Sequence, residues 1–367
     1  MSPDDQPRDE SKPGGERRRA PRKSGVAKSG VAKSGGAKSG GAKSGGRGRR
    51  GSGRDDRPNR RRVPAALRIG VAVEPADVGD RSSQFRVLEA DAGLEVLTDR
   101  MVAPWVDRTP DGFSLDVRAH RLLTHHPAPI ESLPPDVRDL LPPSMRSGRQ
   151  VYADDLPAAA LELALDRVLA SVRPLHEFGK LGALLFAFPS YVVPGSKALD
   201  YFAWLRERAG DLPLAIELRH RTWVDTKHRE ETMAFLAEQR LAYVCVDVPS
   251  GYPSSLPPLA VATTDTAFVR FHGRDADSWE RGADTGEDRF RSDYRRSDLE
   301  PWVARLAKLA AAVPSVHVVF TTGRGEAAAR NARLLVKTLS EEPEPEPPPP
   351  PRNARGRGRG GPPYGRR

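Results

Sequence analysis

The chain has 367 residues and a formal net charge of +10, unevenly placed: residues 1–62 hold 19 Lys and Arg against 7 Asp and Glu, residues 341–367 hold 6 against 4, and the stretch between holds 34 against 38. The single cysteine, Cys245, excludes an intrachain disulfide and a cysteine-rich metal site, and suits a reducing compartment. The polar N-terminal stretch carries no secretory h-region, and nothing approaches the ~18 unbroken apolar residues of a membrane span, so a cytoplasmic protein without membrane association is expected.

From the N-terminus, residues 27–46 repeat a five-residue unit with one lysine each, Ala-Lys-Ser-Gly-Val and then Ala-Lys-Ser-Gly-Gly, between the clusters Arg17-Arg18-Arg19 and Arg60-Arg61-Arg62. So few apolar side chains cannot offset the entropy of ordering, and residues 1–62 are expected to be disordered. Residues 341–367, a Pro-Glu stretch, a proline run and then Arg-Gly repeats, are expected to be disordered as well. Two functions fit such tails: a salt-sensitive, sequence-blind hold on nucleic acid through phosphate contacts, or solubility alone.

Between them, residues 63–340 alternate short apolar, β-branched runs with longer helical patterns, the mark of a parallel sheet covered by helices. Strands are expected at 67–73, 86–90, 114–119, 182–188, 214–218, 242–246, 267–271 and 316–320, and helices at 156–175, 197–209, 229–238, 298–312 and 326–339. Eight strands in this length match a (β/α)8 barrel of the TIM type, and no glycine-rich dinucleotide fingerprint follows the first strand to favour an open doubly wound sheet.

In such a barrel the chemistry sits at the C-terminal ends of the strands. Polar residues fall there: Glu89 and Asp91, Asp116 and Arg118, Glu217 with Arg219 and His220, Asp247, and Arg270 with His272 and Arg274. Glu217, Arg219, His220, Asp247, Arg270 and His272 are the candidate site. Glu217 with Arg219 and His220 reads as an acid–base set, and equally Glu217 with Arg270 reads as a buried ion pair fixing the barrel interior. His272 could reach a phosphate or cap its own loop. Glu89, Glu217, Asp247 and His272 could converge on a metal, but the His-x-His or paired-carboxylate spacings that make such sites persuasive are absent. No cofactor is named by any motif. Cys245 lies in an apolar strand and reads as a core thiol, and Trp279, in a charged loop, is the aromatic best placed to touch a ligand.

Several ordered motifs resemble the YecE-like family, domain of unknown function 72. They are Trp105 to Phe113, Lys180 to Phe186, Ile216 to Trp223 (IELRHRTW), Pro249 to Ser255, Val269 to Gly273 (VRFHG) and Asn331-Ala332-Arg333. The resemblance covers about residues 86–339 and implies a (β/α) barrel without an established activity. A nucleic-acid role through likeness to barrel nucleases makes a phosphodiester-cleaving hydrolase the alternative to a ligand-binding barrel, and loss of the ancestral chemistry makes a scaffold the third reading.

The chain also departs from that family. Ala92-Gly93-Leu94 stands where Ser-Thr and an aromatic are expected, Ala187 where a glutamine is, and Thr321-Thr322 where an Asn-Asn pair is. A Trp-Tyr-Pro loop and a full helix should separate the first two strands, yet only residues 72–84 lie there. That length leads to the expectation of a barrel left open at its first unit.

Overall fold

A computed structural model describes residues 62–93, 97–276, 279, 292–323 and 326–341. The tails at 1–61 and 342–367, with Leu94, lie outside the described residues. Eight strands form the barrel: β1 (Leu67–Val73), β2 (Val87–Ala90), β3 (Ser114–Arg118), β4 (Leu181–Ala187), β5 (Leu214–Glu217), β6 (Leu241–Asp247), β7 (Thr266–Phe271) and β8 (Ser315–Phe320). Each starts and ends within a residue or two of its expected position. Every neighbour is parallel and in chain order, and β1 closes the ring by pairing with both β8 (Val71 opposite Phe320) and β2 (Val71 opposite Leu88).

The expected opening at the first unit is therefore corrected. Closure depends on backbone hydrogen bonds between strands, and these form whether or not a full helix covers them. A 3-10 turn (Pro75–Asp77) and one helical turn (Val78–Arg81) carry the chain from β1 to β2, with Val78 wholly buried beneath.

Among the described residues six longer helices surround the barrel: α1 (Asp99–Arg108), α2 (Ala158–Glu177), α3 (Ser196–Ala209), α4 (Arg229–Glu238), α5 (Arg296–Ala312) and α6 (Glu326–Ser340). In α2, Ala164, Leu165, Val168, Leu169, Val172 and Leu175 recur three or four residues apart and are all buried. The sequence reading misses α1, whose charged residues and internal Pro104 break the helical pattern, although Val102 and Trp105 bury one of its faces. A segment at 119–157, between β3 and α2, holds short helices and a small antiparallel pair, Ala128–Pro129 with Gln150–Val151.

Apolar side chains of the strands and inner helix faces make one continuous core. Cys245 lies in it, wholly buried, with Sγ donating to the Val261 carbonyl at 3.3 Å. Burial pushes this thiol up to about 11. An aromatic disulfide reagent at pH 8 is therefore expected to label Cys245 only after denaturation, and prompt native labelling would show that β6 opens.

Inside the barrel, polar side chains lie in layers. Asp116 of β3 and His317 of β8 meet at 2.9 Å, both buried. Gly182 of β4 makes room for them, since a Cβ there would come within 2.1 Å of Asp116 Oδ1. One layer nearer the C-terminal ends of the strands lies the ion network described next.

Candidate functional site

Glu217 is the last residue of β5 and is wholly buried. Arg219 Nε donates to its Oε1 at 2.7 Å, Arg270 Nη1 donates to its Oε2, and His272 Nε2 lies 3.2 Å from that same Oε2. Arg270 also grips Glu89 of β2 with two bonds, Nε to Oε2 at 2.8 Å and Nη2 to Oε1 at 2.6 Å. The guanidinium thus joins two carboxylates across the barrel in the planar geometry that suits it. The buried ion pair expected between Glu217 and Arg270 is present, enlarged by Glu89.

Burial works against ionisation of Glu217, but Arg270 and its neighbours overcome it and hold the carboxyl well below the ordinary range. For Glu89 burial wins over Arg270, and its carboxyl is raised. Burial, with the like charges of Arg219 and Arg270 and against the pull of Glu217, pushes His272 down to about 3, so the ring is neutral at pH 7. An ionised Glu217 can only accept, which places the proton of His272 on Nε2 and leaves Nδ1 to accept from Thr321 Oγ1, 2.8 Å away. Both ring nitrogens of His272 thus face partners inside the barrel, Glu217 and Thr321.

These shifts set the response to acid. An unfolded histidine takes up its proton near pH 6.5, whereas the folded His272 resists to about 3. Stability is expected to fall as pH drops from ~6.5 toward 3, with a limiting slope of about 1.4 kcal/mol per pH unit for one proton. The depressed Glu217 adds a loss below the ordinary carboxylate range, and the raised Glu89 opposes it. Urea unfolding at pH 7 and 5 checks this: His272→Gln should flatten the dependence, and an unchanged slope would assign it elsewhere.

The other two candidates lie apart. Both oxygens of Asp247 accept from Arg274 Nε, at 3.1 and 3.0 Å, making a neighbouring pair. His220 Nδ1 is held by Thr222, 2.7 Å from its Oγ1, and caps the short helix that follows β5. It joins no acid–base set with Glu217, because the chain turns away after Arg219. Trp279 is buried, donates from Nε1 to Ser254 Oγ at 2.9 Å, and sets its ring centroid 5.4 Å from the Arg219 guanidinium. Two residues named as departures from the family pattern have partners here: Thr321 orients His272, and Thr322 Oγ1 accepts from Asn331.

The sequence reading passes over Arg121, just beyond β3. Its Nε is buried without a hydrogen-bond partner among the described residues, and burial together with the like charge of Arg118 lowers its proton affinity. Arg118 donates to Asp91 at 2.9 Å and also repels Arg219. The signal available in sequence was position alone, in the loop leaving a barrel strand.

A closed parallel barrel, with strand-end carboxylates and guanidiniums tied into one buried network, defines a (β/α)8-barrel protein with a charged mouth. The chain belongs to the family described as "Protein of unknown function DUF72", whose model matches residues 80–355. It is similar to the UPF0759 protein YunF of Bacillus subtilis, 27% identical over 266 residues, covering 71% of this chain and 86% of that protein. Among solved structures it resembles a DUF72 family protein from Enterococcus faecalis, with a TM-score of 0.60, 23% identity, and coverage of 74% of this chain and 97% of that one. A DUF72 family protein from Thermotoga maritima aligns with a TM-score of 0.53 and 26% identity, over 70% of this chain and 85% of the other. Among the described residues no helix is long and apolar enough to cross a membrane.

Proposed function

We propose that the barrel mouth binds a small anionic ligand, phosphate-bearing or otherwise polar, and that the basic tails give the chain a separate, electrostatic hold on nucleic acid. The observation that carries the first part is the crowding of Arg118, Arg121 and Arg219, each within electrostatic reach of another guanidinium. With Arg270 they make four positive charges around the three carboxylates Glu89, Asp91 and Glu217. An anion would relieve that excess through directional, charge-assisted bonds. Hydrolysis has less support, because Glu217 and His272 are engaged with one another and with neighbouring groups.

The test of the mouth is thermal unfolding of the full chain with increasing inorganic phosphate, at constant ionic strength. A ligand bound only by the native state raises the midpoint with its logarithm. Phosphate should do so for the wild type and much less for Arg121→Ala; equal shifts would reject the site. The tails are tested by salt titration of binding to single- and double-stranded DNA and RNA. Replacing the tail lysines and arginines by glutamine should abolish binding and its steep salt dependence. Retained binding would move attention to the barrel.

A further inference from the structure

At the opposite end of the barrel from the mouth, a cavity of about 430 Å³ opens among the starts of β4, β5, β6 and β7. That volume falls within the range of sites for small organic molecules. Arg206, in the last turn of α3, lines it and is 9% exposed. Its Nη2 donates to the carbonyls of Gly210 and Leu212, the latter at 2.9 Å. Its Nε is buried without a hydrogen-bond partner among the described residues, and no carboxylate among them forms an ion pair with it. Burial and the like charge of Arg240 lower its proton affinity, against the pull of Asp211.

Arg240 lines the same cavity, exposed, between α4 and β6. It follows the helix cap Gln239 with φ at 51°, the left-handed position where glycine is the usual residue. Just after α3 the chain does use a glycine, Gly210, at φ 63°. The Arg240 side chain bonds to none of the described residues, so a strained backbone carries a guanidinium that the fold itself does not use. The electronegative C-terminal ends of α3 and α4 favour positive charge on this face, but that benefit requires neither a left-handed arginine nor a buried Nε without an acceptor.

Two carboxylates also line the space. Asp211 is taken up by Arg173 at 3.1 Å and lies 3.4 Å from His176. Asp265 is exposed and pairs with none of the described residues. Thr264 spends its hydroxyl proton on the Thr266 carbonyl at 2.8 Å and remains an acceptor. Two guanidinium donors thus stand beside a carboxylate and a hydroxyl oxygen that can only accept, and Arg206 and Arg240 outweigh Asp265.

We infer that this cavity is a binding site for a sugar phosphate. The phosphate is held by Arg206 and Arg240, whose guanidiniums suit its oxygens, and the sugar hydroxyls donate to Asp265 and Thr264. The carbon face of the sugar lies against Pro213 and Phe268, which also line the space. The site shares no residue with the anion site proposed for the mouth and does not rest on it.

The experiment is isothermal titration of the full chain with ribose 5-phosphate, inorganic phosphate and ribose at constant ionic strength, repeated with Arg121→Ala to remove the mouth. Saturable binding of ribose 5-phosphate is expected, equal in both proteins, with phosphate at least about tenfold weaker and ribose weaker still, since each lacks part of the contacts. Arg240→Gly should weaken ribose 5-phosphate at least about tenfold while leaving the melting temperature as high as before or higher, because glycine suits the left-handed backbone. Asp265→Ala should remove the preference for ribose 5-phosphate over inorganic phosphate. Absence of saturable binding, equal affinity for the three probes, or loss of binding in Arg121→Ala would overturn the assignment. So would an Arg240→Gly protein that binds unchanged, or one that melts lower and so shows Arg240 to be structural.

Discussion

Replacing Arg270 by alanine is expected to destabilise the protein by about 3–5 kcal/mol, the cost typical of removing one member of a buried charged cluster. Its guanidinium neutralises both Glu89 and Glu217, which are 2% and 0% exposed. Without it two carboxylates face each other across a low-dielectric interior with only Arg219 and the neutral His272 in support. For a domain of this size the loss corresponds to roughly 10 °C or more in melting temperature. The deficit should shrink as the pH falls, because Glu217, no longer held low by Arg270, accepts a proton more readily. Adding Glu89→Gln and Glu217→Gln to an Arg270→Met background should recover much of the loss, as apolar or neutral groups of similar volume often replace buried ions without cost. Thermal unfolding of the single and triple variants at pH 7 and pH 5 decides the matter. A single variant as stable as the wild type would mean that the network serves ligand chemistry alone.

The second large effect concerns barrel closure. A Cβ built on Gly70 of β1 would lie 1.7 Å from the carbonyl oxygen of Val87, at the start of β2. The obstacle is backbone, which has no rotamer to move aside, so Gly70→Ala must push the two strands apart. Overpacking usually costs about 1–3 kcal/mol and sometimes more, and a fixed backbone atom puts this case at the upper end. Loss of soluble expression, or a fall in melting temperature approaching that of Arg270→Ala, is expected. Gly182→Ala offers the comparison, because the atoms in its way are the ends of Asp116 and His317, and side chains can yield. If Gly70→Ala folds normally while Gly182→Ala does not, the seam between β1 and β2 is looser than the register implies.

Position along the barrel was legible in the sequence; partnership was not. Glu217, Arg270 and His272 follow strand-like runs, and the rule that barrel chemistry gathers at strand ends placed them correctly at one mouth. Arg270 and Glu89 are 181 residues apart, however, and nothing in either local pattern says that they bond. His220 shows the reverse error. It neighbours Glu217 in sequence, yet the chain turns after Arg219 and the imidazole caps a short helix. Helix α1 escaped notice because Pro104 and four charged side chains hide a buried face built from only Val102 and Trp105.

The sequence alone determined the number of strands and their order, because a buried parallel strand must be a short apolar run and its covering helix a longer amphipathic one. It also determined the separation of basic tails from an acidic central stretch. Only the tertiary structure decided that the ring closes despite a shortened first unit, that Glu217 is saturated by Arg219, Arg270 and His272, and that Arg121 Nε is buried without a hydrogen-bond partner among the described residues. The physical reason is range. Secondary structure follows from the spacing of neighbours along the chain, whereas ion pairing and desolvation depend on groups brought together from opposite sides of the barrel.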